Sequence, residues 1–325
     1  MIKYLTTCLL CLCSACSWTP EDVHETRFMM GTLVSFTIVG VPKQQAEEAI
    51  HAAADEMQRV EDVFTIYGTV DNEIKRFNHS PIGQRVPLSD EVNVVLHTAM
   101  RIQAQSHGAF NPALGALNQL WGFSKTPPPK HPPAQAIIEE KRQGLNHCLH
   151  EDQQGWWRDS AQCQLDFGGI AKGYAIDRGI NVLKKHGVEH ALIDAGGDLR
   201  VIGQHGEHAW RIGIRDPRDA KKMLGVLHLK GDVSVVTSGD YERFFIDQGK
   251  RYHHILDPQT GYPSQQSQSV TVVAKDAMQA DAWSTAIFVL GKDAMKIVKK
   301  KPFQALWVGK KGEREQSDAW HMLVQ

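Results

Sequence analysis

Two segments of the sequence combine residue types that suit phosphate and metal chemistry. In the first, residues 165–177 (LDFGGIAKGYAID), a strand pattern runs through two glycines, Gly168 and Gly169, into a helical pattern. Such a turn exposes backbone N–H groups at a helix N-terminus, where a phosphate group can bind. Asp166 and Lys172 give the turn both charges, although they could simply pair with each other. The segment is neither a Walker loop nor a Rossmann GxGxxG, so an ordinary strand-to-helix turn is the alternative.

The second segment, residues 280–290 (ADAWSTAIFVL), places Asp281 and Thr285 four residues apart on one face of a predicted helix. Its other residues are almost all apolar. A buried carboxylate is costly unless it is paired or binds a cation, and a carboxylate with a hydroxyl is a hard-oxygen pair that suits Mg²⁺. The alternative is an aspartate near the helix start and a threonine whose hydroxyl bonds its own backbone.

Two further stretches, residues 237–243 (TSGDYER) and 253–263 (HHILDPQTGYP), are rich in turn-forming and polar residues. Loops of this kind often hold functional residues. Because the chain has 16 histidines, His254 by itself is more often a surface or core residue than a catalyst. A zinc site has less support, since the sequence contains no HExxH and the adjacent side chains of His253 and His254 would point in different directions.

The composition is that of an ordinary globular protein of 325 residues, with 42% hydrophobic and 22% charged residues. It excludes disorder and collagen-like repeats. The 36 basic and 37 acidic residues nearly cancel, so no overall field attracts nucleic acid, and we expect no nucleic-acid partner. At roughly 150 residues per domain, the length predicts about two domains.

The N-terminus predicts export and a lipid anchor. Lys3 precedes an apolar stretch, residues 5–12, in the order of a secretory signal that is too short to span a bilayer. Residues 13–16 (CSAC) resemble the end of a bacterial lipoprotein signal, where cleavage leaves a cysteine, here Cys16, that becomes diacylated; plain secretion is the alternative. The predicted division is a signal peptide at residues 1–15, a lipid-anchor tether at 16–26 and a domain of two lobes at 27–325.

Two cysteines, Cys148 and Cys163, remain in the body of this predicted exported protein. An oxidising compartment permits a disulfide between them, and the polar, turn-like stretch 151–160 would suit a hairpin there. Two free buried thiols are the alternative, since a free cysteine packs like a small hydrophobic residue.

Hydrophobic periodicity predicts the elements that position these segments. Residues 44–64 have the spacing of an amphipathic helix, and Ser89 followed by two acidic residues predicts an N-cap and a helix to about residue 107. Five prolines within residues 127–133 predict a surface loop. Further helices are predicted at 169–186 and 277–290, and strands at 27–39 and near 163–167, 191–193, 210–214, 224–229, 233–237 and 269–273. Because strands outnumber helices late in the chain, we predict an α+β fold rather than a regular βαβ array.

Taken together, the residues of these motifs and their order along the chain resemble those of the ApbE family, the FAD:protein FMN transferases. The resemblance covers nearly the whole mature chain, and several ordered motifs are far more specific than any one of them. They are MGT at 30–32, GAFNP at 108–112, LWGF at 120–123, residues 166–177, IDAGGD at 193–198, residues 237–243, residues 254–263 and residues 280–290. The family implies an α+β, T-fold-like architecture of two lobes, in which helices flank antiparallel sheets.

Proteins of this family cleave FAD at its pyrophosphate, release AMP and attach FMN through a phosphoester to a Thr or Ser hydroxyl of a target protein. The resemblance therefore implies FAD as substrate, Mg²⁺ as cofactor, and targets similar to subunits of two membrane redox pumps, the Na⁺-translocating NADH:quinone reductase and the Rnf complex. With the lipid anchor, it implies a place on the periplasmic face of the bacterial inner membrane. A FAD pyrophosphatase with water as acceptor and a non-catalytic flavin-binding lipoprotein are the alternatives. Tyr67, whose ring could pack on the isoalloxazine, favours the transferase over the pyrophosphatase.

By position, the resemblance also assigns roles to single residues of this chain. Asp281, Thr285 and the backbone carbonyl of Gly169 would hold Mg²⁺. His254 is the candidate base that takes the proton of the acceptor hydroxyl, with Asp257 as its orienting partner. The residues implied to contact FAD are Met30, Tyr67, Ala109, Phe110, Asn111, Asp166, Lys172 and Ile255.

Two positions carry residues that differ from those usual in the family. Asn111 stands where the family usually has Asp, which puts in doubt any role that needs a charge there, although an amide can still hydrogen-bond the ribityl chain or the ring. Asn72 precedes Glu73 where Ser is usual, an exchange that we interpret as turn-forming only.

Overall fold

The computed structural model describes residues 21–320. The predicted signal peptide and the predicted lipidation site at Cys16 lie outside the described residues, as do the last five residues of the chain, 321–325. Between residues 21 and 320, no helix is long and apolar enough to cross a membrane.

The described chain contains a run of helices in its first half and a run of strands in its second half. The helices are α1 (Lys43–Phe64), α2 (Glu73–His79), α3 (Asp90–Gln105), α4 (Gly115–Trp121), α5 (Gln135–Arg142), α6 (Ala171–Lys185), α7 (Ala277–Leu290) and α8 (Met295–Val298), with 3₁₀ helices at Leu145–His147 and Gly291–Ala294. The strands are β1 (Val23–Met29), β2 (Thr32–Val39), β3 (Leu149–Asp152), β4 (Gly155–Arg158), β5 (His190–Ala195), β6 (Asp198–Ile202), β7 (Trp210–Arg215), β8 (Met223–Leu229), β9 (Val233–Gly239), β10 (Phe244–Asp247), β11 (Lys250–His253), β12 (Ser267–Ala274), β13 (Gln304–Gly309) and β14 (Arg314–Gln316).

One large antiparallel sheet organises the fold. Its eight strands follow the order β1-β2-β5-β6-β9-β12-β13-β14. The remaining strands form the separate hairpins β3–β4, β7–β8 and β10–β11. Antiparallel sheets with flanking helices confirm the predicted α+β class, whereas the division into two lobes stays a prediction.

A different layer covers each face of this sheet, because side chains alternate along the strands. On one face, Val236 of β9 and Val272 of β12 pack with residues of α1, α6 and α7 in the main hydrophobic core. On the other face, their neighbours Val235 and Val273 pack with β7 and β8 in a second core. Adjacent residues of the same strands therefore hold the helices and the β7–β8 hairpin on opposite sides of the sheet.

The predicted helices are confirmed. α1 and α7 agree with the predicted ranges to within one residue, and α1 buries a stripe of apolar side chains from Ala46 to Phe64. The Ser89 side chain accepts a hydrogen bond from the backbone N–H of Val92 and caps α3, as its sequence predicted. The proline-rich segment 127–133 contains neither helix nor strand.

The predicted strand at residues 27–39 is part of a hairpin. The chain turns back between β1 and β2 at Met30 and Gly31, whose φ angles are 53° and 68°. Glycine adopts a positive φ without steric cost, so the MGT motif marks a tight turn rather than the middle of a strand. The prediction of one continuous strand was therefore wrong.

The predicted strand near residues 163–167 does not form. Both backbone polar groups of Leu165 bond the side-chain amide of Asn78, and the N–H of Asp166 donates to the carbonyl of Pro112. These backbone groups are satisfied by a side chain and a loop, so they need no neighbouring strand.

Cys148 and Cys163 form a disulfide, with their Cα atoms 5.9 Å apart. The hairpin β3–β4 lies between them, which confirms the predicted hairpin and decides against two free thiols. The bridge closes a loop with a sequence separation of 15 residues. Such a closed loop restricts the unfolded chain and so stabilises the folded one.

We expect the double substitution Cys148→Ala/Cys163→Ala to lower the free energy of unfolding by about 2–4 kcal/mol, because the open loop gains entropy in the unfolded state. Urea denaturation followed by circular dichroism would measure the change. A reductant should lower the midpoint of the wild-type protein towards that of the variant and leave the variant unchanged. Equal midpoints for the oxidised wild-type protein and the variant would contradict a stabilising role.

Candidate functional site

The N-terminal turn of α6 packs against α7 at a glycine. The backbone N–H of Gly173 donates a hydrogen bond to Oδ2 of the buried Asp281, at 3.0 Å. A Cβ atom on Gly173 would collide with the carbonyl oxygen of Ala277, so only glycine allows the two helices to approach this closely. The start of α6 therefore lies directly against the carboxylate that the sequence predicts as a metal ligand.

Thr285, one turn further along α7, lies beside the glycine turn that precedes α6. A Cβ atom on Gly169 would be 3.3 Å from Thr285 Oγ1. Ser238, near the end of β9, has its Oγ 3.4 Å from the same hydroxyl. The structure thus brings Asp281, Thr285 and the backbone of Gly169 together at one place between α7 and the glycine turn.

Two carboxylates and one lysine set the charge at this place. Lys172 forms an ion pair with Asp198, so the alternative in which Asp166 and Lys172 pair with each other is wrong. Burial and the charge of Asp198 raise the pKa of Asp281 to about 7, against the opposing charge of Lys172. When both carboxylates are ionised, one negative charge is left in excess. A bound cation would relieve their repulsion.

The donors at this place fit a hard divalent cation. They would be the carboxylate of Asp281, the hydroxyl of Thr285 and the carbonyl of Gly169, and Mg²⁺ prefers oxygen ligands of these kinds. Groups of three or more His, Cys, Asp and Glu side chains that could hold a metal ion do not occur between residues 21 and 320. The predicted site is of another type, because only one of its three protein ligands is a carboxylate.

Asp166 fixes the shape of the glycine turn. Its Oδ1 accepts a hydrogen bond from the N–H of Gly168 at 2.8 Å, and its Oδ2 accepts one from Asn118 Nδ2 at 2.7 Å. Burial raises the pKa of this carboxyl, and the two hydrogen bonds oppose that shift. No sequence motif indicates Asn118, because it lies on α4, 48 residues from Asp166 and outside the recognised motifs.

Phe110 and Asn111 lie next to the same turn. A Cβ atom on Gly169 would be 3.3 Å from Phe110 Cε2, so the ring contacts the turn directly. Asn111 Oδ1 accepts from the N–H of Ala113 at 2.8 Å, and its Nδ2 donates to the carbonyl of Leu145 and to Asn146 Oδ1, each at 3.2 Å. An aspartate could not make these two donations. The exchange at 111 is thereby explained by the local hydrogen bonds.

Asn72, the second residue that differs from the one usual in the family, is the N-cap of α2. Its side-chain oxygen accepts from the N–H of Lys75 at 2.9 Å, and its Nδ2 donates to the carbonyls of Asp62 and Thr65 at 2.8 and 2.7 Å. A serine can cap a helix but cannot make both donations. The residue therefore joins α2 to the end of α1 and does more than form a turn.

The β1–β2 turn is fixed on α1 and contacts an arginine. The backbone N–H of Met30 donates to Glu61 Oε2 at 2.7 Å. A Cβ atom on Gly31 would be 2.9 Å from Arg243 Nη2. Arg243 Nη1 in turn donates to Ser124 Oγ at 3.4 Å. The hairpin tip, with the predicted FAD contact Met30, is thereby held against the loop that follows β9.

Tyr67 belongs to the same group of residues. Ser124 hydrogen-bonds its hydroxyl, and burial together with the charge of Asp166 raises the pKa of Tyr67 to about 12. The phenol is therefore neutral at physiological pH. Because Tyr67 interacts with both Ser124 and Asp166, it connects the β1–β2 turn with the glycine turn.

His254 is partly buried, and its Nδ1 atom is shielded from solvent without a hydrogen-bond partner. Within residues 21–320, its Nδ1 is one of two buried side-chain polar atoms that have no partner. Burial, together with the nearby charges of His253, Arg243 and Lys172, lowers the pKa of His254 to about 3. The ring is therefore neutral near pH 7, and it would hold a proton there only when a bound negative charge, such as that of a diphosphate, raises its pKa. A buried polar atom without a partner is rare and is explained when a substrate supplies the partner.

The residues around His254 have structural contacts of their own. His253 Nε2 bonds the carbonyl of Ser264 at 2.7 Å, so this neighbouring ring holds a loop. Asp257 Oδ1 accepts from the N–H of Gln259 at 2.8 Å. No hydrogen bond joins Asp257 to His254 in the described part of the chain, and the orienting role of Asp257 stays a prediction.

Comparison with known proteins decides the family. The model of the ApbE family matches residues 30–307. This chain belongs to the ApbE family. The match spans the glycine turn, the loop with His254 and all of α7.

Named relatives agree with this membership. A FAD:protein FMN transferase of Klebsiella pneumoniae (strain 342) is 32% identical over 293 residues, which are 87% of this chain and 83% of the relative. The FAD:protein FMN transferase of Escherichia coli (strain K12) is 30% identical over 309 residues, or 90% of this chain and 88% of the relative.

Solved structures share the fold. The ApbE protein of Thermotoga maritima superposes with a TM-score of 0.86 at 33% identity, over 94% of this chain and 100% of that one. The flavin transferase ApbE of Vibrio cholerae gives a TM-score of 0.81 at 28% identity, over 94% of this chain and 99% of that one. The predicted ApbE-like α+β architecture is therefore confirmed.

The ApbE-family site also contains residues that sequence analysis missed. Asp198 ends the IDAGGD motif, and that position was the one signal of its role as the ion-pair partner of Lys172. Arg243 lies in a recognised motif too, but the hairpin tip that it contacts is far away in sequence.

The raised pKa of Asp281 implies that the free energy of unfolding of the metal-free protein depends on pH. In the folded state this pKa is about 7, above its value in the unfolded chain. The stability that the protonated carboxyl contributes is therefore full below about pH 4 and is lost as the pH rises through about 7. Asp281→Asn keeps an acceptor for the Gly173 N–H but removes the charge. We expect it to raise the free energy of unfolding at pH 8 by roughly 1–4 kcal/mol.

Urea denaturation in a chelating buffer at pH 4 and pH 8 would check this prediction. The gain should appear at pH 8 and vanish at pH 4, where the wild-type carboxyl is protonated too. An equal gain at both pH values would mean that the substitution acts through packing and not through the charge.

Proposed function

We propose that this ApbE-family protein is a FAD:protein FMN transferase, which cleaves FAD at the pyrophosphate, transfers FMN to a Thr or Ser hydroxyl of a target protein and releases AMP. The convergence of Asp281, Thr285 and Gly169 at the N-terminal turn of α6 carries the proposal. Oxygen ligands and a helix N-terminus at one place suit a diphosphate with its counter-ion. The curated relatives described above carry this activity in their names.

In the reaction, the oxygen of the acceptor hydroxyl attacks the phosphorus of the FMN half, and the bond from that phosphorus to the bridging oxygen of AMP breaks. The proton of the hydroxyl moves to a base, for which we propose His254. Its partnerless Nδ1 suits this role, and the negative charge of the diphosphate would raise the low pKa of the ring in the complex. Mg²⁺, when held by Asp281, Thr285 and the Gly169 carbonyl, would neutralise the diphosphate oxygens and make AMP a better leaving group.

Other side chains would hold FAD in position. Lys172, which carries a positive charge beside Asp198, is suited to the diphosphate region. Asp166 keeps the glycine turn in shape, and Tyr67 offers a neutral aromatic ring for the flavin. The proposed FAD contacts are Met30, Tyr67, Ala109, Phe110, Asn111, Asp166, Lys172 and Ile255.

We also propose that a lipid at Cys16 holds the protein on the periplasmic face of the bacterial inner membrane. The disulfide between Cys148 and Cys163 supports an oxidising compartment. The proposed targets are subunits of membrane redox pumps, of the type of the Na⁺-translocating NADH:quinone reductase or the Rnf complex. An anchored enzyme would meet them on the same membrane.

We expect Asp281→Ala to lower the rate of flavin transfer at least roughly 100-fold, because the Mg²⁺ that would neutralise the diphosphate loses its carboxylate ligand. Thr285→Val should also lower the rate, whereas the matched variant Thr285→Ser, which keeps the hydroxyl, should transfer at close to the wild-type rate. The assay mixes protein, FAD, Mg²⁺ and a target domain and measures the fluorescent flavin band that survives an SDS gel.

The same assay separates the alternatives. Release of FMN and AMP without any target, and no labelled band with several targets, would favour the pyrophosphatase. A carrier without catalysis would bind FAD, yield no products and be unaffected in FAD binding by Asp281→Ala. Unchanged transfer by the Asp281→Ala variant, or full transfer in the presence of a chelator, would contradict the proposed metal site.

For the anchor, we expect Cys16→Ser to move the protein from the membrane fraction to the soluble fraction of the cell, because two or three acyl chains are lost. Metabolic labelling with a radioactive fatty acid should mark the wild-type protein and not the variant. In vitro transfer to a soluble target domain is the control and should be unchanged. A variant that remains on the membrane would overturn the anchor.

A further inference from the structure

The β1–β2 hairpin has a solvent-facing row of side chains that changes character towards its turn. Two cross-strand pairs in this row are polar: His24 bonds Thr37, and Thr26 bonds Ser35, each at 3.0 Å. The next pair along the row, nearest the turn, is Phe28 with Leu33. Phe28 is 76% exposed and Leu33 is 61% exposed. Two large apolar side chains thus lie side by side in solvent.

The strand that carries Phe28 is also an edge. β1 is the first strand in the order of the large sheet, so within residues 21–320 its outer side has no strand partner. Its backbone N–H and C=O groups on that side are available to an extended segment of another chain.

The pair lies at the rim of the proposed flavin site. The turn that follows Phe28 and precedes Leu33 contains Met30, a proposed FAD contact, and its Gly31 lies against Arg243. Arg243 bonds Ser124, which in turn bonds the hydroxyl of Tyr67. An acceptor hydroxyl that reaches the flavin phosphate must bring its own protein surface to this rim.

We propose that the Phe28–Leu33 pair and the free edge of β1 dock an extended segment of the acceptor protein, next to the Thr or Ser that receives FMN. This inference rests on the proposed transferase function. The occupant is an apolar peptide segment that adds to β1 as a further strand, with side chains of one face covering Phe28 and Leu33. Main-chain hydrogen bonds would set its register, and the apolar contact would set its specificity.

A lipid surface is the less suitable occupant. The exposed row continues from Phe28 into polar pairs, whereas membrane-binding surfaces combine a broad apolar face with many cationic side chains. A second copy of this chain would cover the rim from which the acceptor must approach. A lipid surface and a second copy of the chain would each give a result in the test that differs from the one expected for an acceptor segment.

The test compares Phe28→Ser/Leu33→Ser with the control Ile82→Ser/Val94→Ser in the steady-state transfer assay. The control side chains are 57% and 54% exposed, and they lie in the turn after α2 and on α3, outside the β1–β2 hairpin. We expect the Phe28/Leu33 variant to raise the KM for the acceptor at least tenfold. The KM for FAD should stay within about twofold of the wild-type value. The melting temperature should stay within about 2 °C of that of the wild type, because substitutions at exposed sites change stability little. The control variant should match wild type throughout.

The outcomes separate the two levels of the proposal. If the wild-type protein labels no acceptor, the transferase function fails. If it labels the acceptor and the Phe28/Leu33 variant keeps the wild-type KM for it, the docking surface fails while the function stands. Flotation of the Cys16→Ser protein with phosphatidylethanolamine and phosphatidylglycerol vesicles that is lost in the Phe28/Leu33 variant would assign the pair to the membrane and overturn the proposal. A wild-type dimer that the variant converts to monomer would overturn it as well.

Discussion

The close approach of α6 to α7 is the contact on which the rest of the site depends. Gly173 lets the backbone of α6 reach α7, and its N–H then meets the carboxylate of Asp281. The same approach sets Thr285 beside Gly169 one turn further on. Because α7 is buried on almost all sides, packing against the sheet and α6 fixes its position. The polar site gains its rigidity from an apolar helix.

The close approach of α6 and α7 places the charged groups of Asp198, Asp281 and Lys172 in a buried region, where an unpaired charge is costly. Asp198 forms an ion pair with Lys172 and accepts a hydrogen bond from the N–H of Thr237. Asp281 accepts a hydrogen bond from the N–H of Gly173, but the nearby Lys172 is already paired with Asp198. Burial is the main cause of the raised pKa of Asp281, and the negative charge of Asp198 adds to it. Natural proteins tolerate such local costs at functional sites, because the large apolar core supplies the stability elsewhere. A carboxylate that is incompletely paired in the bare protein is well suited to a cation that arrives with its substrate.

The elements that could be predicted are those whose signal is spread over many neighbouring residues. α1 and α7 follow from long periodic or apolar stretches, and the cap of α3 follows from Ser89 alone. The contacts Asn118 with Asp166 and Lys172 with Asp198 could not be derived, because they join segments that only the folded sheet brings together. The segment 163–167 looks like a strand by composition, but Asn78 satisfies its backbone, which no local pattern reveals.

The hydrogen bonds of Asn111 have an evolutionary consequence. The N–H of Ala113 fixes the orientation of the amide, so its nitrogen faces two acceptors, the Leu145 carbonyl and Asn146 Oδ1. An aspartate at 111 could keep the bond from the Ala113 N–H, but its other oxygen would face the Leu145 carbonyl, and the Asn146 amide would have to turn its Nδ2 towards it. An exchange between Asp and Asn at 111 therefore needs no second substitution at 146, because the Asn146 amide can present either its oxygen or its nitrogen.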